Sequence, residues 1–153
     1  MQLSLHTDYA LRVLMLLGGT GAQWTIDEIA AWYAISRNHL AKVAQTLQAE
    51  GLVETQRGRG GGLRLARPPE EIVIGQVVRR LERFDGFVSC MGTNSDCAIS
   101  GNCQLKPALA GALEAFLAHL DQFTLADHLG CGDRSVWSRS VSPLAAEPPR
   151  APV

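Results

Sequence analysis

The sequence predicts a mainly α-helical fold with a small β-hairpin wing, a winged helix-turn-helix followed by a long helix. Three observations predict it. Two short helical patterns stand back to back between Thr25 and Ala49, and two short β patterns joined by Arg57-Gly58-Arg59-Gly60-Gly61-Gly62 follow them. Further on, an apolar stripe at helical spacing begins at Leu105. The 153 residues suit one domain or one domain with an appendage. A hydrophobic content of 46% is enough for a core, and 19% charged residues is too little for a disordered chain. The chain divides into a winged helix-turn-helix unit over residues 1–67, a loop and long helix over 68–130, and a disordered tail over 131–153.

Each element has its own justification. Tyr9, Leu11, Val13, Leu14, Leu16 and Leu17 form a helix, with Thr7 or Asp8 expected at its N-cap and Gly18-Gly19 at its end. Thr25 and Glu28 have the spacing of a capping box and open a short helix continued by Ile29, Ala30 and Tyr33. Ser36 is the next expected N-cap. Leu40, Val43, Ala44 and Leu47 then share one helix face, and Gly51 closes that helix. Leu52–Thr55 and Leu63–Ala66 read as strands of a hairpin. After Pro68-Pro69, the residues Ile72, Val73, Val77, Val78 and Leu81 suggest another helix. Phe84 to Gln104 is an irregular segment rich in Gly, Asn, Ser and Cys. Leu105, Leu109, Ala112, Leu113, Phe116, Leu117, Leu120 and Phe123 form a stripe about 19 residues long, read as a dimerisation helix, with packing on its own domain's core as the alternative. Thr124 and Asp127 cap one last short helix, and four prolines mark the tail after Gly132.

The net charge of −1 excludes a globally basic nucleic-acid binder, but the charge is unevenly placed. Ser36 to Arg67 carries Arg37, Lys42, Arg57, Arg59, Arg64 and Arg67 against Glu50 and Glu54, whereas Phe84 to Leu129 carries Lys106 against five acids. No apolar run approaches the roughly 20 residues of a membrane span. Asp8 and Arg12 argue against a signal peptide at the start, so the chain is expected in the reducing cytoplasm, with no membrane partner. Clustered thiols in that compartment are more often metal ligands or redox groups than disulfides.

The first chemical constellation is the helix pair with its hairpin. A helix fits the major groove of double-stranded DNA, and its N-terminal turn reaches base edges. Ser36, Arg37, Asn38 and His39 stand at that N-terminus, with Lys42 one turn on. Arginine can bond guanine bidentately, and asparagine can do the same for adenine. Arg57 and Arg59 among glycines suit a wing that approaches the sugar-phosphate backbone or a narrow minor groove.

The second constellation is Cys90, Cys97 and Cys103, spaced Cys-x6-Cys-x5-Cys. Structural zinc usually has paired Cys-x2–4-Cys ligands and four in total, which this run lacks. Three thiolates suit a cubane iron–sulfur cluster with one iron left for another ligand. A set of redox thiols and an enzyme with an open iron for substrate remain as alternatives. No convergent Ser, His or Arg set accompanies the loop to form a substrate pocket, so a non-enzymatic role is expected. Cys131 stands apart from the run.

Several stretches carry a family resemblance: Leu5-His6-Thr7-Asp8-Tyr9-Ala10-Leu11-Arg12, Ile35 to Val43, Arg57 to Ala66, Ile72 to Val78 and Cys97 to Leu105. Together they resemble the cytosolic winged-helix iron–sulfur repressors that include NsrR, IscR and RsrR, with the NsrR-like nitric-oxide sensors the nearest branch. The resemblance covers roughly residues 1–130. It implies a homodimer on a palindromic operator and a 4Fe–4S cluster, with 2Fe–2S as the alternative. It further implies cluster ligation by Cys90, Cys97, Cys103 and the partner subunit's Asp8, and nitric oxide as the signal at detoxification genes. Lys106 stands where the IscR-like branch has histidine, and Asp8 and Arg12 stand where the RsrR-like branch has glutamate and histidine. The six residues between Cys90 and Cys97 are one more than the family often has. Arg12, one turn beyond Asp8, is placed to pair with it.

Overall fold

Ser4, rather than Thr7 or Asp8, caps the first helix. The computed structural model describes residues 2–56, 58, 61–84, 88, 97, 99, 102–130 and 137. Within it α1 spans Leu5–Thr20, and the Ser4 hydroxyl accepts the Thr7 N–H at 3.2 Å. Thr7 and Asp8 fall inside the first turn, where Asp8 still faces the positive end of the helix dipole. The helix also runs through Gly18-Gly19, because these residues serve packing rather than termination. A Cβ on Gly18 would stand 2.8 Å from Leu129, and one on Gly19 2.6 Å from the Trp137 indole. Gly21, at φ 60°, ends the helix by donating its N–H to the Leu17 carbonyl at 3.0 Å.

The expected capping box opens α2, Ile26–Tyr33. The Glu28 N–H meets Thr25 Oγ1 at 3.2 Å and the Thr25 N–H meets Glu28 Oε2 at 2.8 Å. Ala34, in the left-handed conformation at φ 53°, turns the chain into α3, Arg37–Ala49. Ser36 is the N-cap of α3, although its hydroxyl makes no capping bond. Leu40, Val43, Ala44 and Leu47 are buried against Ala10, Val13, Leu14, Leu16 and Leu17 of α1 and Ile29 of α2.

β1 (Val53–Gln56) and β2 (Gly62–Leu65) pair antiparallel, Val53 opposite Leu65 and Gln56 opposite Gly62. Trp24 adds a separate antiparallel rung to β2, its N–H donating to the Leu63 carbonyl at 3.0 Å and its carbonyl accepting the Leu63 N–H at 2.7 Å. That rung passes so close to Gly62 that a Cβ there would stand 2.7 Å from the Trp24 carbonyl oxygen.

After a 3₁₀ turn at Pro69–Glu71, α4 covers Ile74–Leu81, shorter than the apolar pattern from Ile72 suggests. Ile72 and Val73 are instead used as extended chain. The Ile72 carbonyl accepts the Leu125 N–H at 2.8 Å, and the Ile74 N–H donates to the Phe123 carbonyl at 2.9 Å. The same turn ends α5 (Leu105–Leu120) three residues before Phe123, and α6 (Leu125–Leu129) follows with the expected Thr124–Asp127 capping box. Asp121, at the end of α5, sits over Gly75, where a Cβ would be 2.1 Å from its Oδ1. Its carboxylate lies 3.0 Å from Arg79, which also reaches Glu114 at 2.9 Å. α5 is thus bolted to α4 at its C-terminal half. No helix among the described residues is long and apolar enough to cross a membrane. Trp137 is the one described residue of the expected tail. Arg57, Arg59, Cys90, Cys131 and the rest of the tail lie outside the described residues.

Candidate nucleic-acid interface and ligand residues

The buried stripe of α3 fixes which of its residues face outward. With Leu40, Val43 and Leu47 turned into the core, Ser36, Arg37, Asn38, His39 and Lys42 are all exposed on one side of the helix start. This surface can present a guanidinium, an amide, an imidazole and an ammonium to a groove. Arg37 ion-pairs with Asp27 of α2. Both side chains are about 70% exposed, so the pair contributes little and a DNA acceptor can replace Asp27. The wing's cross-strand pair, Arg64 with Glu54, consumes one of the segment's cations locally. Arg57 and Arg59 of the wing tip fall outside the described residues.

His39 is not a free solvent group. Its ring centroid lies 6.3 Å from that of Tyr9 on α1. His6, Tyr9, Leu5, His39, Lys42 and Val43 line a cleft of about 190 Å3 between the start of α1 and the start of α3. Tyr9 therefore joins the two regions that sequence reasoning treated separately. No local signal marks it, because an aromatic residue on an amphipathic helix reads as core.

Asp8 occupies the same turn of α1 as Tyr9. Its carboxylate accepts both bonds from Arg12 Nε, at 3.0 and 3.1 Å, as the spacing of four predicts. The Asp8 side chain remains 39% exposed, so it faces away from its own core. Hydrogen bonding to Asp8 holds the Arg12 guanidinium above its ordinary pKa. Arg12 lies 6.0 Å over the Tyr33 ring, and the Tyr33 hydroxyl donates to the Arg12 carbonyl at 3.0 Å. Burial pushes the Tyr33 hydroxyl up, and the Arg12 charge partly offsets this.

Cys97 and Cys103 are free, half-buried thiols, with Cys103 two residues before α5. Among the described residues, no three His, Cys, Asp or Glu side chains converge within the protomer. The donor chemistry fits an iron–sulfur group: thiols of the required type stand on one segment, and a carboxylate points outward on another. Three large apolar residues are prominently exposed among the described residues, Leu5, Ile99 and Leu105, at 60, 65 and 63%. Leu5 lies three residues from Asp8, and the other two lie two residues beyond Cys97 and Cys103.

Comparison with known proteins agrees with this geometry. The profile of the Rrf2 family, described as an iron-dependent transcriptional regulator, matches residues 3–130. The HTH-type transcriptional regulator NsrR of Geobacillus kaustophilus is 48% identical over 132 residues, covering 84% of this chain and 90% of that protein. The regulator of the same name from Bacillus subtilis is 49% identical over 130 residues, covering 83% and 89%. Among solved structures, T. potens IscR superposes with a TM-score of 0.68 at 25% identity over 88% of this chain and 90% of that one. The oxidized form of Staphylococcus aureus CymR gives 0.70 at 26% identity, over 87% and 99%.

Proposed function

Because the chain belongs to the Rrf2 family of transcriptional regulators, we propose that it is a homodimeric repressor that holds a palindromic operator while it carries an intact 4Fe–4S cluster. It is a regulator and not an enzyme. One observation carries the sensing half of this reading. Asp8, an outward-facing carboxylate, shares a helix turn with Tyr9, whose ring rests against His39 of α3. A change in what Asp8 binds is therefore one contact away from the surface that reads DNA.

Cys90, Cys97, Cys103 and the partner subunit's Asp8 would hold the cluster. When bound, that cluster supplies iron reactive toward nitric oxide, and nitrosylation is the proposed signal for release. The protein's own residues do the rest. Asp8, paired with Arg12 in the protomer, would serve as the ligand given to the partner's cluster and would so tie the two protomers through their first helices. Arg37, Asn38 and His39 reach base edges, while Ser36 and Lys42 contact phosphate and Arg57 and Arg59 carry the wing. A two-fold dimer sets two such helices about 34 Å apart, one turn of DNA. The exposed N-terminal half of α5, with Leu105 prominent, supplies the apolar surface that a second copy covers. The working compartment is the cytoplasm.

The test is anaerobic purification followed by iron and sulfide quantitation, a visible spectrum, and operator binding before and after nitric oxide, on wild type and on Asp8→Ala. A coloured protein whose operator affinity drops at least tenfold with nitric oxide supports the reading. Colourless protein, or affinity that nitric oxide leaves unchanged, rejects it, the former in favour of a thiol-only sensor.

A further inference from the structure

The start of α1 is fastened by a residue 78 positions away. Glu82 Oε2 accepts the Ser4 N–H at 2.9 Å and the Ser4 hydroxyl at 3.0 Å. The Ser4 hydroxyl in turn accepts the Thr7 N–H and lies 3.1 Å from the Thr7 hydroxyl. Thr7 is the one fully buried polar residue among the described residues. The Asp8 N–H makes the first intrahelical bond, to the Ser4 carbonyl at 3.0 Å. The backbone of Asp8 is thus held by Ser4, and Ser4 is held by Glu82.

A helix N-terminus frays because its first four N–H groups have no partner within the helix. A carboxylate set against that end satisfies donors directly and favours the dipole. Glu82 closes α4, so the anchor belongs to the element that leads, eight residues on, to Cys90. A group that must reach a metal across a subunit boundary needs a support that fixes its position to a fraction of an ångström.

We propose that Glu82 is the positioning residue for Asp8, holding the first turn of α1 so that the Asp8 carboxylate meets the partner subunit's cluster. This rests on the assignment of Asp8 as a ligand made above. Glu82 touches no iron; it acts through Ser4, Thr7 and the helix start. Burial raises the pKa of Glu82, but hydrogen bonds from Thr7, from Ser4 and from the Arg83 backbone outweigh it and leave the carboxyl below its ordinary range. The acceptor is therefore charged at neutral pH, the form the knot requires.

The test compares wild type, Asp8→Ala, Glu82→Ala, Glu82→Gln and the double variant Asp8→Ala/Glu82→Ala, all purified anaerobically as full-length cluster-loaded protein. The rate of iron loss to a ferrous chelator and the visible circular dichroism spectrum are read together. Glu82→Ala is expected to lose iron about tenfold faster, at the lower end of what removing an outer-shell partner costs a metal site. Its spectrum should shift toward that of Asp8→Ala. In the Asp8→Ala background the Glu82 change should add nothing, since two residues acting through one contact are not additive. Glu82→Gln keeps one acceptor oxygen and should fall between wild type and Glu82→Ala, and it answers the question if the alanine variant does not fold. A wild-type rate in both Glu82 variants, or effects that add to those of Asp8→Ala, overturns the proposal while leaving Asp8 a ligand. A wild-type rate and spectrum in Asp8→Ala overturns the ligand assignment and this inference with it.

Discussion

The α1–α3 unit and α5 are built to different standards. In the first, nearly every apolar position on the inner faces of three helices is buried, and Leu14, Leu16 and Leu47 have no exposed surface at all. In the second, a 16-residue helix of mostly apolar residues buries only Leu117 fully, with Leu113, Phe116 and Leu120 half-buried against the core. One region is completed by its own sequence. The other carries apolar surface that the described residues do not cover, beginning two residues beyond the Cys103 thiol. A domain that reads DNA must be rigid before it meets its ligand. A region that senses must gain or lose something from outside.

The strongest way to break this contrast is to damage the first region. Leu47→Ala empties a fully buried site between α3 and α1, and should lower stability by about 2–5 kcal/mol in urea unfolding. Operator binding should fall with it, because the surface from Ser36 to Lys42 is carried on the same helix. A loss under ~1 kcal/mol would mean that the core is less well packed than the geometry indicates. The joint between the regions comes next. At Gly75→Ala the new Cβ meets Asp121 Oδ1 at 2.1 Å and the Asp121 backbone nitrogen at 2.7 Å. The helix must then move off Arg79. Overpacking of this kind costs about 1–3 kcal/mol, and thermal unfolding measures it.

What the sequence made legible follows from how local each cause is. The Thr25–Glu28 and Thr124–Asp127 boxes span three residues, and the α3 stripe repeats within one helix, so pattern alone found them. The Asp8–Arg12 pair is four residues long and was found for the same reason. The true cap of α1 was missed because Ser4 earns that place through Glu82, 78 residues on. The helical Gly18-Gly19 was missed because its reason is packing against Leu129 and Trp137. Gly75 within a helical pattern was a visible hint of close approach, but nothing in the pattern names Asp121 as the group that approaches. Of the candidate site, the outward face of α3 was readable from periodicity. Its contact with α1 through Tyr9 and His39 was not, since two residues 30 positions apart meet only in the fold.

A smaller effect, of opposite sign, tests the turn that aims α3. Ala34 holds φ 53°, which costs an L-residue roughly 1–2 kcal/mol, while glycine would return about 0.4–1 kcal/mol of that through the freer unfolded chain. Ala34→Gly should therefore stabilise the protomer by about 0.5 kcal/mol. It should not improve operator affinity, because the added backbone freedom lies between the two helices whose relative angle DNA reads. A gain in both would show that the turn conformation limits binding.

The smallest expected effect on folding sharpens the contrast most. Leu105 is 63% exposed at the start of α5, so in the protomer Leu105→Ser removes little buried surface and should leave unfolding free energy within about 0.5 kcal/mol of wild type. In a two-fold dimer the same side chain is lost twice, and each burial of a leucine is worth about 1.5–3 kcal/mol. Sedimentation should therefore show the dimer dissociating at concentrations at least tenfold higher than wild type, at unchanged protomer stability. The reading helices would lose their fixed separation, and affinity for a two-half-site operator should fall toward that for a single half-site. If the variant instead unfolds early and remains dimeric, then α5 is core of its own chain, and the distinction between a finished reading unit and an unfinished sensing one is wrong.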